Sequence, residues 1–337
     1  MTEKTVKTIA DIARLAQVSK STVSRSLNDS LLVNPETKAR IQAIADEHKF
    51  RINAPARNLS LRQSHTIAFV SQACHKGCQS EDDLFSLEIM GGITHGLYGL
   101  GYDLLVVHVD PHDSDWAHQY LDSGRVDGFI LMTSARKQWH IKKLLEIDAP
   151  FIAWGLPQSE INRCSVAGDN LSGGRLAAGH LLEIGRQRIA FLGGPKDELE
   201  VQQRFKGFQQ VLENAGRAVH PELLAYGNYS HRSGIRAMEK LLEQAPDLDA
   251  VFVNSDMMAI GAIQALKQHG RRIPEEVAVV GYDDLTIARY NALPLTTIRQ
   301  NIPMAGRLLA ENLIQYIQSG VVTHITIPVE LVVRESA

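Results

Sequence analysis

Hydrophobic positions follow one pattern in the first fifty residues and another after residue 65. Near the N-terminus, four apolar residues between Ile9 and Ala16 fall at helical spacing, and Val23 and Leu27 form a second apolar stripe four residues apart. A polar corner at residues 17–19 interrupts this periodicity. The pattern therefore predicts two short helices joined by a tight turn.

The second of these helices is polar outside its apolar stripe. Ser19 is expected to cap it, because a serine hydroxyl accepts a hydrogen bond from an amide in the first turn of a helix. The polar positions are Lys20, Ser21, Thr22, Ser24 and Arg25, whose side chains can bind bases or phosphates. A polar, basic second helix is typical of a helix-turn-helix, which places that helix in the major groove of DNA. A small helical hairpin with a solvated polar face is the alternative that this pattern leaves open.

A third helix is predicted to begin at Pro35. Asn34 is a favourable N-cap, and proline suits the first helical position. Ile41, Ile44 and Ala45 supply an inward face. The three helices together predict an all-α head over residues 1–50, near the lower size limit for independent folding.

After residue 65 short apolar runs alternate with amphipathic helical stretches. The runs cover residues 66–70, 103–108, 128–132, 151–154, 188–192, 250–253 and 277–280. Near-continuous apolar strands separated by helices are typical of parallel sheets covered on both faces. One sheet would hold this many strands awkwardly, so we predict an α/β body of two doubly wound parallel-sheet lobes over residues 66–337. Ligands bind at the carboxyl ends of such strands, which predicts a cleft between the lobes.

Residues 51–65 join the head to the body. The segment is too short and too polar to have its own core, yet Pro55 and the residues that follow it can form one or two helical turns. A helix of this length is marginal unless it finds a partner surface. The segment is therefore either a hinge helix or a plain linker.

Composition and charge narrow the class of protein. The 337 residues are 44% hydrophobic and 22% charged, as in globular proteins, and no apolar run approaches the ~20 residues of a membrane span. Three cysteines argue against a disulfide framework, and the first residues lack the apolar core of a signal peptide. We therefore expect a cytoplasmic protein without a membrane partner.

The charge is distributed unevenly along the chain. The net charge is −3, but residues 1–62 hold 11 Lys and Arg against 6 Asp and Glu, and the remainder holds 24 against 32. A basic head on an acidic body fits a head that contacts phosphate and a body that does not.

The chemistry-bearing motifs give little support to an enzyme. Cys74, His75 and Cys78 form a thiol–imidazole cluster, but a structural zinc site usually requires a second ligand pair. The glycine clusters lack the spacings of dinucleotide-binding and P-loop motifs. Gly99 and Gly101 are instead expected to follow a helix and stop it. We predict no metal, no cofactor and no catalytic residues.

The head reads I-A-D-I-A…A-x-V-S-x-x-T-V-S-R-x-L-N from Ile9 to Asn28 and resembles the N-terminus of the LacI/GalR family of bacterial transcription regulators. The resemblance continues through the body, with landmarks at residues 166–170, 204–208 and 280–284. It implies a body similar to periplasmic sugar-binding proteins. The segment least like the family is residues 71–82.

The resemblance also implies which residues bind ligands. The predicted DNA contacts are Thr8, Lys20, Ser21, Thr22, Ser24, Arg25, Asn28, Asn53, Ala56 and Leu59. The predicted effector contacts are Gln72, Phe85, Trp154, Arg204, Tyr229, Ser255 and Asp283. Leu59 occupies the position of a hinge leucine that the family inserts into the minor groove. Arg204 and Asp283 are expected to bind sugar hydroxyls, with a paired core salt bridge as the alternative, and Trp154 either stacks on a sugar ring or simply packs.

The resulting hypothesis is a sequence-specific DNA-binding transcriptional regulator, a repressor, whose operator affinity is controlled allosterically by a small ligand that is a sugar or sugar derivative. One small head has few base contacts, so we expect a homodimer on pseudo-palindromic double-stranded DNA. No C-terminal heptad run exists, which favours a dimer over a tetramer. Two other classes stay open: a carrier-type sugar-binding protein, which the basic head opposes, and an α/β oxidoreductase or hydrolase, which lacks a nucleotide loop and a nucleophile–base pair.

Overall fold

The computed structural model describes residues 8–27, 29–30, 32–50, 63–72, 83–110, 113–132, 138–156 and 163–337. The chain divides into two compact units, a head (residues 1–64) and a body (residues 65–337). The proposed hinge helix and the Cys74–Cys78 cluster lie outside the described residues.

The described part of the head contains α1 (Ile9–Leu15), α2 (Lys20–Leu27) and α3 (Pro35–Glu47). The predicted caps are confirmed. The Thr22 amide donates to Ser19 Oγ at 3.1 Å, and the Glu36 amide donates to Asn34 Oδ1 at 2.8 Å. The corner between α1 and α2 has a left-handed backbone at Gln17, with φ of 53°.

The three helices of the head enclose a small core. Ile12, Val23 and Ile41 come one from each helix and are fully buried, and the other apolar positions predicted from the periodicity pack around them. Phe50, beyond the end of α3, also packs on this core. A core of this size covers one face of α2 and leaves its polar face outside.

The body contains two sheets, as predicted, and each has six strands in the described residues. The N-lobe sheet consists of β1 (Thr66–Gln72), β2 (Asp103–Val109), β3 (Gly128–Met132), β4 (Phe151–Trp154), β5 (Cys164–Gly168) and β11 (His324–Ile327). The C-lobe sheet consists of β6 (Ile189–Gly193), β7 (Leu224–Tyr226), β8 (Ala250–Val253), β9 (Ala278–Asp283), β10 (Thr296–Gln300) and β12 (Val329–Val332).

Helices cover both sheets. The N lobe has α4 (Leu84–Leu100), α5 (Trp116–Leu121), α6 (Gln138–Glu146) and α12 (Ile302–Ser319), and the C lobe has α7 (Asn170–Glu183), α8 (Leu199–Asn214), α9 (His231–Gln244), α10 (Asp256–Gln268) and α11 (Thr286–Tyr290). Gly101 stops α4 with φ of 73°, as predicted. Gly99 was expected to follow the helix, but it lies in the last turn of α4 because the helix continues to Leu100.

The strand orders are β11-β5-β4-β3-β1-β2 and β12-β10-β9-β8-β6-β7. Every neighbouring pair is parallel except β10 and β12. The seven apolar runs of the sequence all form strands in these sheets. The apolar runs did not include β5, β7, β10, β11 and β12, because these strands are short or mix polar with apolar residues.

The chain crosses between the lobes three times, at residues 168–170, 300–302 and 327–329. Each crossing leaves the carboxyl end of a strand. The Asp169 amide donates to the Ile327 carbonyl at 2.9 Å and so joins two of the crossings. The carboxyl ends of both sheets therefore face the space between the lobes, which we call the cleft.

Candidate functional site

The exposed surface of α2 carries the side chains predicted to contact DNA. Lys20, Ser21 and Arg25 are exposed, and Thr22 and Ser24 are half-buried. The Ser19 hydroxyl lies 2.8 Å from the hydroxyls of both Ser21 and Thr22. This surface carries two cations and several hydroxyl groups on one short helix. Such groups can form hydrogen bonds with base edges and with phosphate oxygens.

Thr8 has a structural role that the sequence analysis did not identify. It is the N-cap of α1 and forms a capping box with Asp11, in which the Asp11 amide donates to Thr8 Oγ1 at 3.2 Å and the Thr8 amide donates to Asp11 Oδ2 at 3.1 Å. Its contact with DNA stays a prediction. Asn28, Asn53, Ala56 and Leu59 lie outside the described residues.

Arg204 forms the centre of the polar cluster in the body. It is 6% exposed. Its Nε donates to Asn170 Oδ1 and its Nη1 donates to the Asn254 carbonyl, both at 2.7 Å. Its guanidinium lies 3.7 Å from the centroid of the Tyr282 ring. Both acceptors are uncharged oxygens, so the guanidinium forms no ion pair among the described residues.

Close helix packing fixes the position of Arg204. A Cβ atom at Gly174 of α7 would lie 2.0 Å from the Arg204 carbonyl oxygen. Any side chain at residue 174 would therefore push α8, and with it the guanidinium, away from the cleft edge.

Asp283 is the last residue of β9 and is 6% exposed. Its Oδ1 accepts a hydrogen bond from Gln300 Nε2 at 2.8 Å. Burial raises the pKa of its carboxyl to about 7, although Arg204 and Gln300 act in the opposite direction. Its φ of 116° is rare for a residue with a side chain, and backbone strain of this kind is concentrated at functional sites.

A second buried carboxyl lies behind Asp283. Asp256 Oδ1 accepts from Thr297 Oγ1 at 2.6 Å, and its Oδ2 accepts from the Leu285 amide at 2.8 Å. Burial, reinforced by the negative charge of Asp283, raises the pKa of Asp256 well above its usual range. These bonds tie Asp256 to the fold, which leaves Asp283 as the carboxyl of the pair available to a ligand.

Ser255 and Tyr229 both have partners within the protein. Ser255 is buried and caps α10 by accepting from the Met258 amide at 3.2 Å. The Tyr229 hydroxyl donates to Glu198 Oε2 at 2.7 Å. Burial raises the pKa of this hydroxyl well above its usual range, so Tyr229 stays protonated and donates to Glu198 at neutral pH.

The N-lobe side of the cleft is aromatic. Trp154 ends β4 and is 9% exposed, and its ring centroid lies 5.7 Å from that of Phe85 on α4. A ring pair of this kind presents a flat apolar surface. Gln72 ends β1, but the structure describes only its backbone.

Asn254 was missed as a site residue by sequence reasoning. It follows β8 and is completely buried, and neither atom of its side-chain amide has a hydrogen-bond partner in the described part of the chain. Gln300 Oε1 is in the same situation. A buried amide without partners is unfavourable by about 1–3 kcal/mol, so a ligand that bonds to it gains from its presence. The position of Asn254 at the carboxyl end of a strand was the signal in the sequence that could have identified it as a site residue.

Within the described residues, two carboxylates accept hydrogen bonds from the opposite lobe across the cleft. Glu200 Oε1, on α8, accepts from the Leu156 amide of the N lobe at 2.9 Å. Glu88 Oε1, on α4, accepts from the Thr286 amide of the C lobe at 2.8 Å. Each lobe thus contributes one carboxylate to the opposite lobe.

Two other kinds of function find no support in the described structure. Within the described residues, no group of three His, Cys, Asp or Glu side chains is arranged to hold a metal ion. None of the helices in the described ranges is both long enough and apolar enough to span a membrane.

Both units of the chain match models of known protein families. Residues 8–53 match the family described as "Bacterial regulatory proteins, lacI family", and residues 78–335 match "Periplasmic binding proteins and sugar binding domain of LacI family". The chain is 33% identical over 336 residues to the HTH-type transcriptional regulator CelR of Thermobifida fusca, with 98% of each chain covered.

Solved structures give the same result. The structure of CelR in complex with cellobiose superposes with a TM-score of 0.75 at 32% identity, covering 98% of this chain and 100% of that one. The lac repressor dimer bound to operator and the anti-inducer ONPF superposes with a TM-score of 0.81 at 27% identity, covering 98% of each chain.

A helix-turn-helix head and a two-lobed ligand-binding body define a ligand-controlled, DNA-binding transcriptional regulator. The chain belongs to the LacI family of bacterial regulatory proteins.

Proposed function

We propose that this regulator is a repressor that binds a pseudo-palindromic operator as a homodimer, and that a sugar in the cleft changes its operator affinity. The observation that carries the proposal is the buried cluster of Arg204, Asp283 and the unpartnered Asn254 amide at the cleft. A cluster of donors and acceptors without enough internal partners is suited to a ligand rich in hydroxyl groups.

Each residue has a distinct task in this proposal. Arg204 donates to ligand oxygens through the N–H groups that Asn170 and Asn254 leave free. Asp283 accepts from ligand hydroxyls, and the Asn254 amide can both donate and accept. Trp154 and Phe85 cover an apolar face of the sugar ring. CelR, a relative solved in complex with cellobiose, supports a carbohydrate as the effector.

Control of DNA binding follows from thermodynamic linkage. A sugar that binds one arrangement of the lobes more tightly than another shifts the population toward that arrangement. The three crossings are the connections that bend when the lobes move. We propose that residues 53–60 transmit the change to DNA as a hinge helix, with Leu59 inserted into the minor groove.

Dimerisation completes the proposal. A single α2 offers only a few side chains to base edges, and two copies related by a twofold axis double the contacts on a palindromic site. The lac repressor, solved as a dimer on its operator, supports this assembly. A regulator of this kind acts where the chromosome is, so we place it in the cytoplasm.

The experiment that tests the proposal uses the full chain. Operator DNA is selected from a random pool, and its binding is followed by fluorescence anisotropy during titration with cellobiose, D-glucose and D-ribose. We expect a selected site with inverted half-sites and a change in operator affinity of at least about fivefold with one sugar.

A chain lacking residues 1–62 serves as the control. It should keep sugar binding and lose operator binding. A truncated body that still shifts the operator would contradict the assignment of DNA binding to the head. A full chain that binds the operator but responds to no neutral sugar would contradict the assignment of a carbohydrate effector.

A further inference from the structure

Two glutamates lie at the start of α8, at the edge of the cleft. Glu198 is buried and accepts the Tyr229 hydroxyl at 2.7 Å. Glu200 lies four residues before Arg204, on the same face of the helix, and accepts the Leu156 amide from the opposite lobe at 2.9 Å. Leu156 follows Trp154 by two residues, so Glu200 reaches the aromatic side of the cleft.

Buried carboxyl groups outnumber buried cations in the described residues. Arg204 is the only buried Lys or Arg in the described ranges, whereas the carboxyls of Glu198, Asp256 and Asp283 are all buried there. Glu88 and Glu200 add two carboxylates that span the lobes. An additional negative charge would therefore meet several carboxyls and a single guanidinium.

The raised pKa of the Asp283 carboxyl indicates that this part of the cleft disfavours a negative charge. Burial raises the pKa of its carboxyl to about 7 in spite of the nearby Arg204. A phosphate group carries a charge of about −1.5 to −2 at neutral pH, so it would meet the same desolvation with a larger charge. No second cation in the described part of the cleft is buried to offset it.

Helix N-termini are the usual alternative to cations for binding phosphate, and here side chains already occupy them. Asp169 caps α7, Ser255 caps α10 and Asn301 caps α12, each by accepting an amide of the first turn at 3.0–3.2 Å. Asp83 caps α4 in the same way, accepting from the Ser86 amide at 3.1 Å, and α8 begins after Glu198 and carries Glu200 in its first turn. The amides that would hold a phosphate are therefore capped or flanked by carboxylates.

We infer that the cleft selects an uncharged sugar and rejects its phosphorylated counterpart, with Glu198 and Glu200 as the specificity-determining residues. This inference rests on the carbohydrate effector proposed above and adds the charge of that effector. Carboxylates accept hydrogen bonds from hydroxyl groups, so the same two residues that repel a phosphate suit a neutral polyol.

The test compares neutral sugars with phosphate esters on the full chain by isothermal titration calorimetry. The probes are cellobiose, D-glucose and D-ribose, and then glucose 6-phosphate and ribose 5-phosphate. We expect at least one neutral sugar to bind, and the phosphate esters to bind at least about tenfold more weakly than that sugar, a difference of about 1.4 kcal/mol.

The double variant E198Q/E200Q keeps both hydrogen-bond acceptors and removes both charges. Its ratio of phosphate-ester affinity to neutral-sugar affinity should rise at least about tenfold relative to the parent. Glu213→Gln, an exposed glutamate near the other end of α8, is the matched control and should leave the ratio unchanged. Thermal unfolding of each variant without sugar checks that it is folded.

The outcomes separate this inference from the proposed function. A phosphate ester that binds the parent chain as tightly as a neutral sugar would overturn the inference and leave a carbohydrate effector in place. An unchanged ratio in E198Q/E200Q would overturn the assignment to these two residues. If no neutral sugar and no phosphate ester binds, the proposed carbohydrate function itself is wrong, and the inference falls with it.

Discussion

The side chains proposed to bind DNA and those proposed to bind the effector lie in opposite surroundings. In the head, Lys20 and Arg25 are exposed on a helix whose other face covers a small core. In the body, Arg204 and Asp283 are each 6% exposed and bonded to neighbouring side chains or backbone. The cations proposed to bind DNA stay in water, whereas the charged side chains proposed to bind the effector are buried.

This difference matches the two partners. DNA is a large polyanion, and exposed cations attract it without being desolvated beforehand. A sugar is small and neutral, so affinity requires that the protein enclose it and offer buried polar groups that water does not reach. Substitutions of the buried cleft residues should therefore change stability as well as binding, whereas substitutions of the exposed residues of α2 should change binding alone.

The largest effect is expected for Arg204→Ala. It removes the donor to the Asn254 carbonyl and leaves Asn170 Oδ1 with only the long hydrogen bond from the Tyr282 hydroxyl at 3.5 Å, which lowers the free energy of unfolding by about 1–3 kcal/mol for each buried acceptor that loses a bond. The sugar response should disappear while operator binding remains. Urea unfolding and sugar titration of the variant provide the measurements.

Arg175→Ala is the control for this change, because Arg175 is an exposed arginine of α7 that bonds to Gln210. It should leave both quantities close to those of the parent. A stable Arg204→Ala variant with unchanged sugar affinity would move the effector site elsewhere.

The second effect concerns pH and Asp283. Its carboxyl has a pKa of about 7 in the folded chain and about 3.9 when unfolded. Between these values the folded state binds more protons, so the free energy of unfolding falls as the pH rises toward 7. Asp283→Asn lacks this titration, and its stability relative to the parent should increase by up to about 4 kcal/mol across the window.

Denaturant unfolding of the parent and the variant from pH 4 to pH 8 measures this difference. Asp197→Asn, at an exposed position near the start of α8, provides the comparison and should show no such increase. Asp283→Asn should also weaken sugar binding, because the amide has one acceptor oxygen where the carboxyl has two. Parallel pH profiles for Asp283→Asn and the parent would show that Asp283 is not the group that titrates.

The smallest effect is expected for Arg25→Ala in the head. If Arg25 reads a base edge, the variant should lose about 1–3 kcal/mol on the selected operator and little on random DNA. Unfolding of the head should be unchanged, because Arg25 is exposed. Anisotropy on both DNAs over a range of salt concentrations measures the two affinities.

Arg40→Ala removes the same charge from an exposed position on α3 and tests whether charge alone matters. Equal losses on operator and random DNA for Arg25→Ala would make Arg25 a phosphate contact. If Arg25→Ala lowers the free energy of unfolding of the head, the contrast drawn here between exposed head residues and buried cleft residues is wrong.

Local features of the head were determined by the sequence itself. The caps at Ser19 and Asn34, the helical start at Pro35 and the buried face through Ile12 and Val23 all appear where the spacing of polar and apolar residues placed them. Helix caps and helical periodicity involve residues within four positions of each other, so the sequence contains the whole interaction. The apolar runs of the body identified seven strands for a similar reason.

The cleft was decided by tertiary structure. Glu200 meets the Leu156 amide across 44 residues, and Glu88 meets the Thr286 amide across 198. Sequence comparison with a family singled out Arg204 and Asp283, but not the unpartnered Asn254 amide behind them. Which polar groups remain without partners depends on how strands from distant parts of the chain are ordered in two sheets and on where the chain crosses between them. Spacing along the sequence does not carry that information, because burial and hydrogen bonding between distant residues arise only when the lobes have packed.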